Sequence, residues 1–423
     1  MMSARRGSQV FTVGVAVGIS SIVGYALLAI IGRLLTPNDF GLFVSYWGVL
    51  FGLASSLSTI EQEAARQSAE GDIRGSAPIG KVAVAASIIA VLAAAVTLIP
   101  PVAGRLYGDS HSKLGFLVLL AVLGFSMQFM VRGLLVGSGK IRSYGALVIT
   151  EASVRLVALL AIWLTVGVTL GTAAAAVAVG AYAWLGWARN ARRNTSTPPP
   201  PHRGPQLWRA PFRRAGSLMF AAALTACIIT GYPTMVAAFS GGPLGPEGGT
   251  VFAALTASRV PLLFVAPLQA LAVPAIVRWR LDDAPGLNAR QWIIRGACAT
   301  VAIATIGAAG AWFVGPWAVR IAFGAQYVVA SAAIAGLIFS ACILALLQLM
   351  SAALIAFGNY RWMGIVWASA AGSTAIWLLL SPLSVVGSTV VGALVGPLVG
   401  VAVGTTVLWR LTSVSLREPA PLG

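Results

Sequence analysis

Of 423 residues, 58% are hydrophobic and 9% charged, whereas a soluble domain carries about 25% charged residues. That balance excludes an ordinary soluble core and makes the bilayer the solvent for much of the surface. A formal charge of +17 raises nucleic-acid binding, which the placement of the charges along the chain must decide.

A helical crossing needs about 20 mainly apolar residues. Twelve such runs are predicted, at 9–31, 40–60, 79–99, 114–136, 144–166, 169–188, 215–240, 251–276, 292–314, 328–350, 362–381 and 386–409. The first follows Arg5 and Arg6 and is longer than a signal-peptide core, so it reads as a retained span. After the second, the segment IEQEAARQ sets Glu61, Glu63 and Arg66 on what reads as a solvated helix end, with Arg66 a candidate for an inward-open mouth. Span four carries Arg132 near its inner end, and the turn after it reads Gly137, Ser138, Gly139, Lys140. This is no nucleotide loop, because Leu134 stands five before Gly139 and Ile141 follows Lys140, where G-x4-G-K-[ST] needs glycine and a hydroxyl. Span five carries Glu151 and Arg155 four residues apart, the order that favours an ion pair along one helix face.

The long polar connection 189–214 contains Pro198, Pro199, Pro200 and Pro201, a stiff spacer that cannot be helical. It divides the chain into an N-terminal six-helix lobe (1–188), a basic linker (189–214), a C-terminal six-helix lobe (215–411) and a short tail (412–423). In the second lobe, Arg259 lies in span eight with no acidic residue within a turn. Cys227, Cys298 and Cys342 fall inside predicted helices without ligand-like spacing and read as packing residues. Gly392, Gly396, Gly400 and Gly404 share one face of the last span, a face suited to close helix approach.

The charge is sorted by side. With the N-terminus inside, inner segments hold 21 of the 28 Lys and Arg, and outer segments hold only Arg33, Arg105, Lys113 and Arg320. This is the positive-inside pattern, which places both termini in the cytoplasm and makes the basicity a topology signal, with no nucleic-acid partner required. An even number of spans per half gives both halves the same orientation, as in a parallel repeat. Gly139, Arg142 and Gly145 recur in spacing as Gly358, Arg361 and Gly364, and Pro37 and Phe43 are echoed by Pro246 and Phe252.

The segments GRLLTPNDFGLF after span one, RGLLVGSGKIRSYGAL around the fourth loop and SRVPLLFVAPLQALAVP in span eight resemble the polysaccharide flippase (Wzx-like) branch of the multidrug, oligosaccharidyl-lipid and polysaccharide (MOP) exporter superfamily. The resemblance implies two six-helix lobes around a central cavity and alternating access. The implied substrate is a polyprenyl-diphosphate-linked oligosaccharide, moved across a bacterial cytoplasmic membrane by a single copy of the chain. Glycosyltransferases or a polymerase of the same pathway are the implied partners, alongside the membrane lipids. The lipid II flippases of the superfamily usually carry two further helices, for which this chain has no room.

An arginine at the bilayer centre costs about 2.5 to 3.5 kcal/mol on the insertion scale, so it should face protein or a wet cavity. Arg155 and Arg259, one from each lobe, are the expected walls of a cationic cavity, with Arg132 and Arg66 as further candidates. A guanidinium suits phosphate because its planar fork donates two hydrogen bonds together. Glu151, the only acid deep in a predicted span, is the candidate for coupling to a proton or sodium gradient, and no other cofactor is expected. A self-satisfied structural pair between Glu151 and Arg155 stands beside that reading. A drug or metabolite exporter of the same superfamily is the alternative function. A membrane glycan polymerase, ligase or scaffold is more distant, because the outer loops are too short to hold acceptor and catalytic groups. His111 and His202 fall on opposite sides of the membrane, which leaves no histidine-based metal or catalytic site.

Overall fold

The computed structural model describes residues 2–70, 79–108, 113–188, 209–240, 244–265, 268, 289–356 and 360–415. Polar backbone groups in lipid must be satisfied within their own segment, and all regular structure among the described residues is helical. The helices are α1 (Met2–Leu34), α2 (Pro37–Glu70), α3 (Ile79–Val96), α4 (Pro100–Tyr107), α5 (Lys113–Gly137), α6 (Ile141–Thr165), α7 (Leu170–Val179), α8 (Arg209–Ile229), α9 (Tyr232–Phe239), α10 (Gly245–Ser258), α11 (Ala289–Phe323), α12 (Ser331–Ala356), α13 (Tyr360–Leu380) and α14 (Val385–Ser415).

Nine of these are long and apolar enough to cross a membrane among the described residues. The three remaining predicted spans depart from a plain helix for local reasons. Span three bends by 80° between α3 and α4, where Pro100 and Pro101 follow Ile99 in an extended conformation, the backbone a residue before proline prefers. Span six is shorter than predicted, but Val179 passes into a 3-10 segment, Gly180–Gly186. At 1.5 Å per α-helical and 2.0 Å per 3-10 residue, Leu170–Gly186 still reaches about 29 Å. Span eight was expected to run unbroken over 251–276. Instead α10 ends at Ser258 and a 3-10 turn, Val260–Phe264, follows, because Pro261 lacks the N–H that would continue the helix. The rest of that span lies outside the described residues, as do linker residues 189–208, Arg74, Arg278, Arg280, Arg417, Gly358 and both histidines.

The helices form two compact units, Met1–Ala238 and Phe239–Gly423. In the first, α2 packs on α5, α1 on α6, and α8 on both α2 and α3. The sequence sets its lobe boundary at the linker, whereas packing sets it at Ala238, because α8 and α9 hold to α2. The Thr234 hydroxyl donates to Ser45 O at 3.0 Å, and Gly48 passes so close to Thr234 that a side chain there would clash. Phe40, Phe43, Tyr46, Leu50 and Leu57 give α2 a fully buried stripe. In the second unit, α11 packs on α12, α13 on α14, and α14 and α10 on α12. Gly396 lies against Ala370 of α13, while Gly400 and Gly404 lie against Leu347 and Met350 of α12. The small-residue face of the last span is thus a packing face.

Candidate functional site

The turn between α5 and α6 sets the register of the site. Lys140 N–H bonds to Leu135 O and Gly139 N–H to Val136 O, both at 2.9 Å, and Gly139 takes φ +73°. This is a Schellman cap, and the glycine is what the left-handed position needs. The cap folds α6 back along α5, which brings Arg132 to Glu151 across the pair.

Both carboxylate oxygens of Glu151 are taken by guanidiniums. Arg155, one turn along α6, donates to Oε1, and Arg132 of α5 donates to Oε2. The Gln128 amide also donates to Oε2. Glu151 is 8% exposed. The two cations lie against aromatic faces, Arg155 at 4.9 Å from the Phe51 ring centre and 5.7 Å from that of Phe125, and Arg132 at 5.3 Å from that of Phe129. Such faces stabilise a desolvated cation. They continue a run of neighbouring rings from Phe43 through Trp47 and Phe51 to Phe125 and Phe129. Arg155 also needs Gly180: a Cβ there would stand 2.5 Å from its Cγ and Nε. Three buried polar atoms of the cluster, Gln128 Oε1, Arg132 Nε and Arg155 Nε, have no hydrogen-bond partner among the described residues. Buried polar groups are nearly always satisfied, so these call for an explanation.

A second cluster lies further along α2, which continues past the predicted end of its span. The expected solvated helix end is not what forms there: Glu63 is 4% exposed. It accepts from Arg66 at 2.8 and 3.2 Å, from Gln67 at 2.6 Å and from Arg214 of α8 at 2.9 Å. Arg66 is therefore drawn onto a buried carboxylate that ties α8 to α2. Because Arg214 is 41% exposed, Arg214→Ala is expected to cost no more than about 1 kcal/mol, as exposed ion pairs do. Removing the buried acid leaves both cations without it, so Glu63→Ala should lower the melting temperature of the purified protein well beyond Arg214→Ala. Equal shifts would refute this ordering.

Of the residues singled out in the sequence, the structure brings Arg132, Glu151 and Arg155 together, while Arg66 belongs to the Glu63 cluster. Arg259 lies in the second unit, at the C-terminal cap of α10, with its N–H bonded to Thr256 O at 3.3 Å. The Glu151–Arg155 pair anticipated along one helix face is present, but it is half of a larger arrangement. The sequence reading missed Gln128, Phe125 and Phe129, although positions 125, 128, 129 and 132 share one face of a helix. Glu61, which the sequence set on a solvated helix end, is half-buried, and the main chain there lies against Gly133 of α5.

No protein-family model matches the chain. Two Mycobacterium tuberculosis (strain ATCC 25618 / H37Rv) proteins do: the uncharacterized protein Rv3630 is 30% identical over 95% of this chain and 92% of its own length. The uncharacterized protein Rv1510 is 30% identical over 96% and 92%. The chain belongs to this mycobacterial family.

Solved structures give the family its architecture. An inward-facing multidrug resistance MATE transporter of the MOP superfamily matches with a TM-score of 0.67, at 15% identity over 95% of this chain and 96% of its own. The inward closed lipid II flippase MurJ matches at 0.65, with 12% identity over 93% and 87%. The eukaryotic MATE transporter AtDTX14 matches at 0.64, with 13% identity over 98% and 99%. The fold is the twelve-helix, two-lobe fold of MOP transporters, and this member of the mycobacterial family is a multi-pass membrane protein.

Proposed function

We propose that the protein is a flippase that moves a polyprenyl-diphosphate-linked oligosaccharide from the inner to the outer leaflet of the bacterial cytoplasmic membrane by alternating access. The observation that carries this reading is the pair of arginines, Arg132 and Arg155, held among membrane-spanning helices around one carboxylate, each with a buried Nε donor that no acceptor among the described residues takes. A diphosphate supplies acceptors of the right charge and geometry for such donors. In this reading the headgroup engages Arg132 and Arg155 of the first unit, and the lipid tail stays in the bilayer. A glycosyltransferase makes the substrate and a polymerase consumes it. MurJ, a lipid II flippase, supports the class as a protein of the same fold moving a lipid-linked substrate.

A drug or metabolite exporter is the second reading, favoured by the rings of Phe51, Phe125 and Phe129 around the cations and by the MATE structures. A leaflet-specific assay of labelled lipid-linked glycan in a depleted strain separates the two. Under the flippase reading, restoring the wild-type gene restores outward appearance of the glycan and Arg155→Ala reduces it at least tenfold, a loss of about 1.4 kcal/mol or more in the limiting step. Unchanged outward appearance on depletion refutes it.

A further inference from the structure

We infer that Gln128 is a specificity-determining residue of the anion site: its buried carboxamide oxygen accepts a hydrogen bond from an O–H or N–H that the substrate carries beside its phosphate. This rests on the flippase reading and deepens it by naming a group the substrate must present.

Gln128 is wholly buried on α5, and its amide NH2 donates to Glu151 Oε2. The carboxylate settles which way the amide points, because an ionised carboxylate only accepts and so needs the nitrogen. The oxygen is left over. Gln128 Oε1 is buried with no hydrogen-bond partner among the described residues. Of its neighbours on α5, Phe125 and Phe129 present rings, and the Ser126 hydroxyl donates to Val122 O. A buried acceptor without a donor is rare in a folded protein. Beside a ligand site it marks what the ligand supplies, because an analogue without that donor leaves the acceptor unpaired.

Arg132, one turn on, donates to the same oxygen of Glu151 and has the complementary orphan, an Nε–H donor. Beside one carboxylate oxygen, α5 therefore offers an unused donor and an unused acceptor. Their complement is a ligand edge that carries an acceptor and a donor next to each other. An ionised phosphate alone has acceptors only. A glycosyl phosphate has both, a phosphate oxygen at C1 and the hydroxyl or acylamino group at C2. Arg155 Nε is a further unused donor, and a diphosphate has enough oxygens to meet it as well. Because the carboxamide is uncharged, it discriminates among anions without repelling them, which a carboxylate at this position would do.

The test is equilibrium binding to the full-length protein in nanodiscs of two probes, a short prenyl-diphospho-glucose and its 2-deoxy-2-fluoro analogue. The two differ in the donor at C2 and little in size. Wild type should bind the glucose probe about tenfold more tightly, the worth of one hydrogen bond to a buried acceptor that otherwise stays unpaired. Gln128→Met, which keeps the length of the side chain and removes the oxygen, should bind the two probes alike. Gln128→Asn, which draws the oxygen back by one methylene, gives the same reading if the Met variant does not fold. A Gln128 that only braces Glu151 would weaken both probes equally when replaced and leave their ratio at the wild-type value. That result, or equal binding of the two probes by wild type, overturns this inference and leaves the flippase reading standing. If wild type binds neither probe, the flippase reading falls and takes the inference with it.

Discussion

Glu151→Ala is expected to melt at a markedly lower temperature than wild type, and lower than either Arg132→Ala or Arg155→Ala. Each arginine variant removes one of two cations and leaves the acid paired with the other. The Glu151 variant removes the one group among the described residues that both guanidiniums bind and strands the Gln128 amide with them. Removing one partner of a buried ion pair costs about 3 to 5 kcal/mol, and here the loss should sit at the upper end. Glu151→Gln, which keeps shape and one acceptor, should fall between. The measurement is the thermal loss of the monodisperse peak of detergent-solubilised protein. A double change, Glu151→Gln with Arg155→Gln, should recover part of the loss, because like-for-like neutralisation leaves fewer uncompensated charges. Equal melting of Glu151→Ala and Arg155→Ala would show that the acid is not the common partner.

Gly133→Leu is the second change with a large expected effect. Its Cβ would meet Glu61 O at 2.5 Å and the Ala64 side chain closer still, and Gly137, one turn on, meets Ala65 O at 2.6 Å. Half of these contacts are to backbone and the rest to short side chains with no room to swing away, so α5 and α2 would have to part. Overpacking of this kind costs about 1 to 3 kcal/mol. The sign is the informative part. Glycine to alanine inside a helix is ordinarily stabilising by about 1 kcal/mol, and Gly171, where a Cβ meets nothing within 4 Å, should show that gain or no change as alanine. Gly133→Ala should lower stability and Gly133→Leu should lower it further, read by the same thermal assay. Stability gained at Gly133 would remove the close α2–α5 contact from the account.

How much of this the sequence carried differs by element. The helices were legible because lipid demands long apolar runs, and α5, α6 and α13 fall within a few residues of prediction. The inner end of α2 was not, because a run containing Glu61, Glu63 and Arg66 drops below any hydropathy criterion. The burial of Glu63 is met by three donors, Arg66 and Gln67 on its own helix and Arg214 from 151 residues away, and the last of these no local pattern announces. In the site, the i to i+4 pairing of Glu151 with Arg155 was readable from one helix. The reach of Arg132 was not, because it depends on the rotation set by the Gly139 cap. Gly133 and Gly137 form a G-x3-G pattern, a signal of close helix approach that was present in the sequence and unused. Gly180 gave no such signal, since its role is to leave space for a side chain from another helix.

The turn at Gly139 has a consequence for how the chain enters the membrane. The chain from Gln128 to Arg155 is one helical hairpin, and it contains both arginines and the carboxylate they share. Insertion of either arginine alone costs about 2.5 to 3.5 kcal/mol. As a hairpin, α5 and α6 bring the acid and both cations to the bilayer together, so each guanidinium has a share of a carboxylate before the later helices have been synthesised. The helices that follow then assemble around a polar centre that carries one net positive charge instead of two.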